Sequence, residues 1–233
     1  AEQDASTNQD VSAEQDVSTP ETSESKGTIG VAMPTKDLQR WNQDGSNMQK
    51  QLQDAGYVVD LQYASNDVAT QVSQIENMIS NGCDLLVVAS IDGESLGTPL
   101  EQAKEAGIPH INVDLIAGLT GESAKSFSSS VDRIIDLSPD NITVHTFSVK
   151  KAAEIRQENA SVYDAEGIAA AQAVDYAQAA LSDAGYSPYY MYRQKNTVGN
   201  LENVGFALEG HEGFYNLFMM EELHTVFGVG AGA

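Results

Sequence analysis

DLLVVASIDGESLGTPLEQAKEAGIPHINVDLIAG, residues 84–118, decides the fold class. DLLVVAS (84–90) is an unbroken apolar run, the pattern of a strand covered on both faces. The spacing that follows predicts a helix over 93–106 stopped at Gly107, and IPHINVDLIAG (108–118) opens another strand. Strand, helix and strand in that order form a crossover unit, which joins parallel strands. The same rhythm runs upstream. TIGVAM (28–33) reads as a strand, 45–55 as a helix ending at Gly56, and YVVDLQY (57–63) as an alternating strand. Asn66 stands where a helix through about residue 80 would be capped, with Val68, Val72, Ile75, Met78 and Ile79 on one face and Gly82 closing it. Downstream, the pattern predicts helices over 122–137, 165–184 and 214–223. NITVHTFSV (141–149) and SPYYMYR (187–193) read as strands, 199–210 as a loop, and the Gly-rich 225–233 as a terminal strand. The fold class is α/β, a parallel sheet flanked by helices.

Residues 1–26 have another composition: Ser, Thr, Gln, Asp and Glu, with AEQDAST (1–7) returning as AEQDVST (13–19). Such a segment buries too little apolar surface to offset its chain entropy, so it is expected to be a disordered acidic tether. The chain opens at Ala1 with no basic and apolar leader, the expectation for a mature product or a piece of a longer reading frame.

Composition removes several functions. The 233 residues hold 12 Lys and Arg against 34 Asp and Glu, a formal charge of −22. Duplex DNA, RNA and anionic membranes need a basic footprint, so no nucleic-acid partner is expected. No apolar run reaches the length of a transmembrane helix. One cysteine, Cys83, allows neither an internal disulfide nor a cysteine metal cluster. His110, His145, His211 and His224 show no metal-type spacing and are expected to be packed or surface residues, so no metal site is expected.

The segments KGTIGVAMPT, RWNQDGSNMQKQL, AGYVVDLQYASNDVATQVSQIENMI, DLLVVASIDGESL and AKEAGIPHI make residues 27–109 resemble the periplasmic sugar-binding proteins of ABC transporters, in their xylose, ribose and multiple-sugar branch. The resemblance implies half of a type I binding-protein lobe, an extracytoplasmic location, a small sugar as ligand and a transporter permease as partner. Ligands of open parallel sheets sit beyond the carboxyl ends of the strands. A sugar takes an aromatic ring face together with charged groups for its hydroxyls. The resemblance implies that Arg40, Trp41 and Asp92 contact the sugar, with Asp92 alternatively capping the following helix. Family members carry an Asp-Arg pair on the next strand. Asp114 stands at the matching position, but Leu115 follows it, so the arginine is missing.

From about residue 111 the resemblance changes. NVDLIAGLTGES, PDNITVHTFSVKKA, LSDAGYSPYYMYRQKNTVGNLENVGFALEGHE and FGVGAGA make 111–233 similar to the oxygen-independent, radical-SAM coproporphyrinogen dehydrogenases of haem synthesis. That resemblance implies a partial (β/α) barrel fragment, a cytoplasmic location, and S-adenosylmethionine and a [4Fe–4S] cluster as cofactors, with Asp114 a contact of the former. The cluster needs three cysteines in a C-x3-C-x2-C loop, so no catalysis is expected. The expected organisation is a tether (1–26), a sugar-binding-type unit (27–110) and an enzyme-like fragment (111–233), joined by fusion, by engineering or in sequence assembly. A join of two α/β pieces could still give one continuous sheet.

Overall fold

The structure, a computed structural model, describes residues 25–148 and 167–220. The expected tether lies almost wholly outside the described residues, as does the strand expected over 225–233. In chain order the elements are β1 (Thr28–Met33), α1 (Gln39–Asp54), β2 (Val58–Tyr63), α2 (Val68–Ser80), β3 (Leu85–Val88), α3 (Gly97–Glu105), β4 (Asn112–Ala117), α4 (Ala124–Asp136), β5 (Asn141–Thr146), α5 (Ile168–Asp183), β6 (Ser187–Tyr192), β7 (Asn203–Ala207) and α6 (Phe214–Met220). The fold is α/β, with a parallel sheet flanked by helices. Among the described residues neither sheet closes into a barrel.

β1 is the centre of a parallel sheet in the order β2-β1-β3. Its alternating side chains feed two cores. Ile29, Val31 and Met33 meet Trp41, Met48 and Leu52 of α1, while Ala32 faces Ile75, Met78 and Ile79 of α2. Gly30 lets α2 come close, because a Cβ there would lie 2.8 Å from Met78 Sδ. α2 is capped one residue later than the sequence suggests. Asp67, not Asn66, accepts the Thr70 N–H at 2.7 Å, while Asn66 takes the left-handed conformation at φ 59° that turns the chain into the helix.

The remaining strands form a second sheet, in the order β4-β5-β7-β6. One continuous sheet is therefore not formed: β3 bonds β1, and β4 bonds β5. β4 and β5 are parallel, but β7 is antiparallel to both of its neighbours. The link from β6 to β7 is too short for a helical crossover, so the chain must turn back on itself. The strand β7 lies inside the stretch read as loop. Its five residues have a central Gly205, which weakens the strand signal. One face of this sheet carries Leu115, Ala117, Ile142, Val144, Val204 and Phe206 into a core with α4 and α5. The alternate residues, Asn112 and Asp114 on β4 and Thr143 and His145 on β5, face the other way and line a cleft.

Candidate functional sites on the two sheets

The segments that follow the carboxyl ends of β1 and β3 carry three of the four residues expected to contact a sugar. Arg40 and Trp41 lie in the first turn of α1. Trp41 is half-buried, with its body against the β1 core. The Arg40 guanidinium sits 5.6 Å from the centre of that ring, and its Nε lies 3.4 Å from Asp44 Oδ2. A cation over an indole face is attractive, so the two residues form a preassembled aromatic and donor pair. Asp92 follows β3 and accepts hydrogen bonds from the backbone N–H of Ser95, at 3.0 Å, and from the Ser95 hydroxyl. The serine hydroxyl bond is the main reason its carboxyl titrates below the ordinary aspartate range. Asp92 is thus engaged within its own loop rather than at the cap of α3, which is Leu96, and it stays ionised for any donor that reaches it.

The loop bearing Asp92 is held from below. Gln71 of α2 is buried, and its Nε2 donates to Ala89 O at 2.9 Å. Its Oε1 accepts from the Ile91 N–H at 2.9 Å. Sequence reading did not single out Gln71, whose partners lie 18 and 20 positions away.

Asp114, the fourth expected residue, belongs to the second sheet and lines its cleft of about 380 Å³. His145 Nε2 lies 3.5 Å from Asp114 Oδ1, and its Nδ1 lies 3.2 Å from the Tyr192 hydroxyl. The hydrogen bond to His145 is the main reason the Asp114 carboxyl titrates below its ordinary range, against the opposing effect of burial. The Tyr190 hydroxyl reaches Thr143 Oγ1 at 3.0 Å, and the Tyr190 and Tyr192 rings are stacked 6.3 Å apart. Tyr190 spans the neighbouring strand because Gly205 is opposite it: a Cβ at 205 would collide with the tyrosine ring. The cleft offers acidic, imidazole and phenolic groups in one hydrogen-bonded row.

His145 was expected to be a packed or surface residue, and Thr143, Tyr190 and Tyr192 were not singled out. A signal existed: in NITVHT the polar residues 141, 143 and 145 alternate with Ile142 and Val144, marking a strand with one polar face. Cys83 is buried behind β3, and burial pushes its thiol pKa up. Cys83 is the one cysteine of these 233 residues, and a [4Fe–4S] cluster takes three thiolates.

Comparison with known proteins gives two kinds of relative. The periplasmic binding protein domain family matches residues 29–162. The oxygen-independent coproporphyrinogen-III oxidase-like protein HemZ of Bacillus subtilis is 44% identical over 131 residues, which is 56% of this chain and 26% of that protein. The multiple sugar-binding periplasmic receptor ChvE of Rhizobium radiobacter is 48% identical over 102 residues, 44% of this chain and 29% of that protein. The chain thus spans between a quarter and a third of the length of these relatives. Among solved structures, an ABC transporter solute-binding protein from Clostridium phytofermentans with bound β-D-glucose is 42% identical. That match covers 67% of this chain and 48% of the other, with a TM-score of 0.35.

Proposed function

We propose a sugar-binding role, from the premise that the chain belongs to the periplasmic binding protein domain family. The observation that carries it is the position of Arg40 and Trp41 at the start of α1 and of Asp92 in the loop after β3, beyond the carboxyl ends of parallel β1 and β3, where open sheets of this kind take ligands. Trp41 supplies a ring face for the sugar, Arg40 supplies donors and the ionised Asp92 supplies an acceptor. Arg40 must tilt off the indole to admit a ligand, which costs little because its side chain is 77% exposed. The role is binding without catalysis. The similarity to periplasmic receptors supports an extracytoplasmic location, with a transporter permease as the partner that takes the sugar onward. No described helix is long and apolar enough to cross a membrane.

Binding by these 233 residues is weak. Proteins that capture ligands by hinge closure enclose them between two lobes, and the three proposed contacts all come from one sheet. A millimolar rather than micromolar Kd corresponds to about 4 kcal/mol less binding free energy. Titration with D-xylose and D-glucose should raise the melting temperature only at millimolar concentrations, and Asp92→Ala should abolish the rise. No rise at saturating sugar removes this reading.

The 44% identity to the HemZ protein favours a second reading of the later residues: a non-catalytic piece of a coproporphyrinogen-oxidase-like chain, with Asp114 as a retained contact for S-adenosylmethionine. In that reading the chain is a join of two pieces, by fusion, by engineering or in sequence assembly, and the joined object has no activity of its own. Amplification of the source DNA across codons 95–125 decides this. One product of the expected size means a single gene. Separate amplification of each half at its own locus means two unrelated pieces.

A further inference from the structure

Three loops meet at the amino-terminal end of β4 and β5, on the edge of the second sheet remote from the carboxyl ends of these strands. His110 precedes β4, Asp140 precedes β5, and His211 follows the turn after β7. One ligand atom from each, two imidazole nitrogens and a carboxylate oxygen, falls within 4.8 Å of the others. His211 Nδ1 is 3.1 Å from Asp140 Oδ1, and His110 Nδ1 is 3.9 Å from Asp140 Oδ2. Ligand atoms of a tetrahedral zinc with bonds of about 2.0–2.1 Å lie about 3.3 Å apart, so small side-chain rotations bring the set to coordination distance.

The backbone under these side chains is already fixed. Asp140 Oδ2 accepts the Ile111 N–H at 2.8 Å, which sets the carboxylate plane beside His110. The Asp140 N–H donates to Ile111 O, and its carbonyl accepts the Leu208 N–H, which ties the β7 exit to the start of β5. The His211 carbonyl accepts from the buried side-chain amide of Asn141 at 3.1 Å. A backbone N–H donating to a ligating carboxylate and a stiff supporting backbone are the features that hold metal ligands in place. Asp140 is shielded, with 19% of its side chain exposed, while His110 is 68% exposed. The cluster therefore leaves one side open to solvent.

The geometry points to a divalent-cation site formed by His110, Asp140 and His211, with water completing the coordination. Two imidazoles and one carboxylate select zinc and its borderline neighbours over magnesium or calcium, which take oxygen ligands. The site lies outside the cleft around Asp114 and away from the proposed sugar contacts. Bound metal would clamp the entry to β4, the entry to β5 and the exit of β7. Because metal binds the folded form, occupancy would raise the stability of the second sheet.

The test uses the full chain without a polyhistidine tag. Co2+ is titrated in excess Mg2+, which occupies the carboxylates of a chain of charge −22, and Zn2+ is then added as the competitor. The expected result is one equivalent of Co2+ with visible ligand-field absorption, displaced by Zn2+. His110→Gln and His211→Gln should each weaken binding more than about tenfold, while His145→Gln leaves it unchanged. His110 is exposed enough that its substitution leaves packing intact, and an unaltered far-UV dichroism spectrum confirms that the variant is folded. Absence of saturable binding over Mg2+ overturns the site. Saturable binding that survives both His110→Gln and His211→Gln overturns it equally.

Discussion

Gln71 joins structure to function at the scale of one side chain. Its buried amide satisfies one acceptor and one donor of the loop between β3 and Asp92. Gln71→Leu keeps the apolar contacts but leaves both backbone groups without their partner. Each such loss costs about 1–3 kcal/mol. The urea midpoint should fall accordingly, and the sugar response should weaken because the Asp92 loop is released. A variant with lower stability but an unchanged sugar midpoint would separate Gln71 from the site. Asp114 gives a pH prediction. Its carboxyl is depressed chiefly by the hydrogen bond to His145, so the contribution of the pair is present above the ordinary aspartate value of about 3.9 and lost as pH falls through the lower folded value. The Asp114 carboxyl resonance should titrate below that ordinary value, and His145→Ala should move it upward. An unmoved midpoint in His145→Ala would assign the depression to another neighbour. Residue types were legible in the sequence, because an arginine, a tryptophan and an aspartate just beyond strand ends stand where the family resemblance implies sugar contacts. Contacts were not: Asp92 is already engaged by Ser95, and His145 meets Asp114 only because β4 and β5 pair in register.

Elements with strong local patterns follow the sequence closely. The helix expected over 122–137 is α4 (Ala124–Asp136), with Phe127 and Val131 buried and Ser123 accepting the Ser126 N–H at 3.1 Å. Ser123→Ala should therefore destabilise the second sheet and its helices by about 1 kcal/mol, read from the urea midpoint, while Ser123→Asp should restore the cap. Equal stability in the alanine variant would show that the α4 start is fixed by packing alone. α1 starts six residues before the expected 45–55, because its first turn is polar and carries no periodicity beyond Trp41. β7 shows the opposite limit. Asn203–Ala207 is buried along most of its length, yet Asn203, the central Gly205 and the turn residues after it read as loop. Its strand character comes from two neighbours, β5 and β6, that no local window contains.

At the scale of the molecule, among the described residues, the two sheets have separate cores and are tied by few polar contacts. Lys104 Nζ at the end of α3 donates to the carbonyls of Leu137 and Ser138 at 2.7 Å, and Arg133 pairs with Glu94 at 2.7 Å across exposed surface. Exposed pairs of this kind contribute at most about 1 kcal/mol each, too little to force two cores to unfold together. The chain carries its own reporter for this, because Trp41, its one tryptophan, packs on the first sheet only. Gly205→Ala places a methyl group against the Tyr190 ring in the second sheet, an overpacking change of about 1–3 kcal/mol. Far-UV dichroism, which sees both sheets, should then show an earlier transition at lower urea. Tryptophan fluorescence should keep the midpoint of the unsubstituted chain. If both probes shift together, the two sheets form one cooperative unit, and the contacts through Lys104 and Arg133 couple them more strongly than their exposure implies.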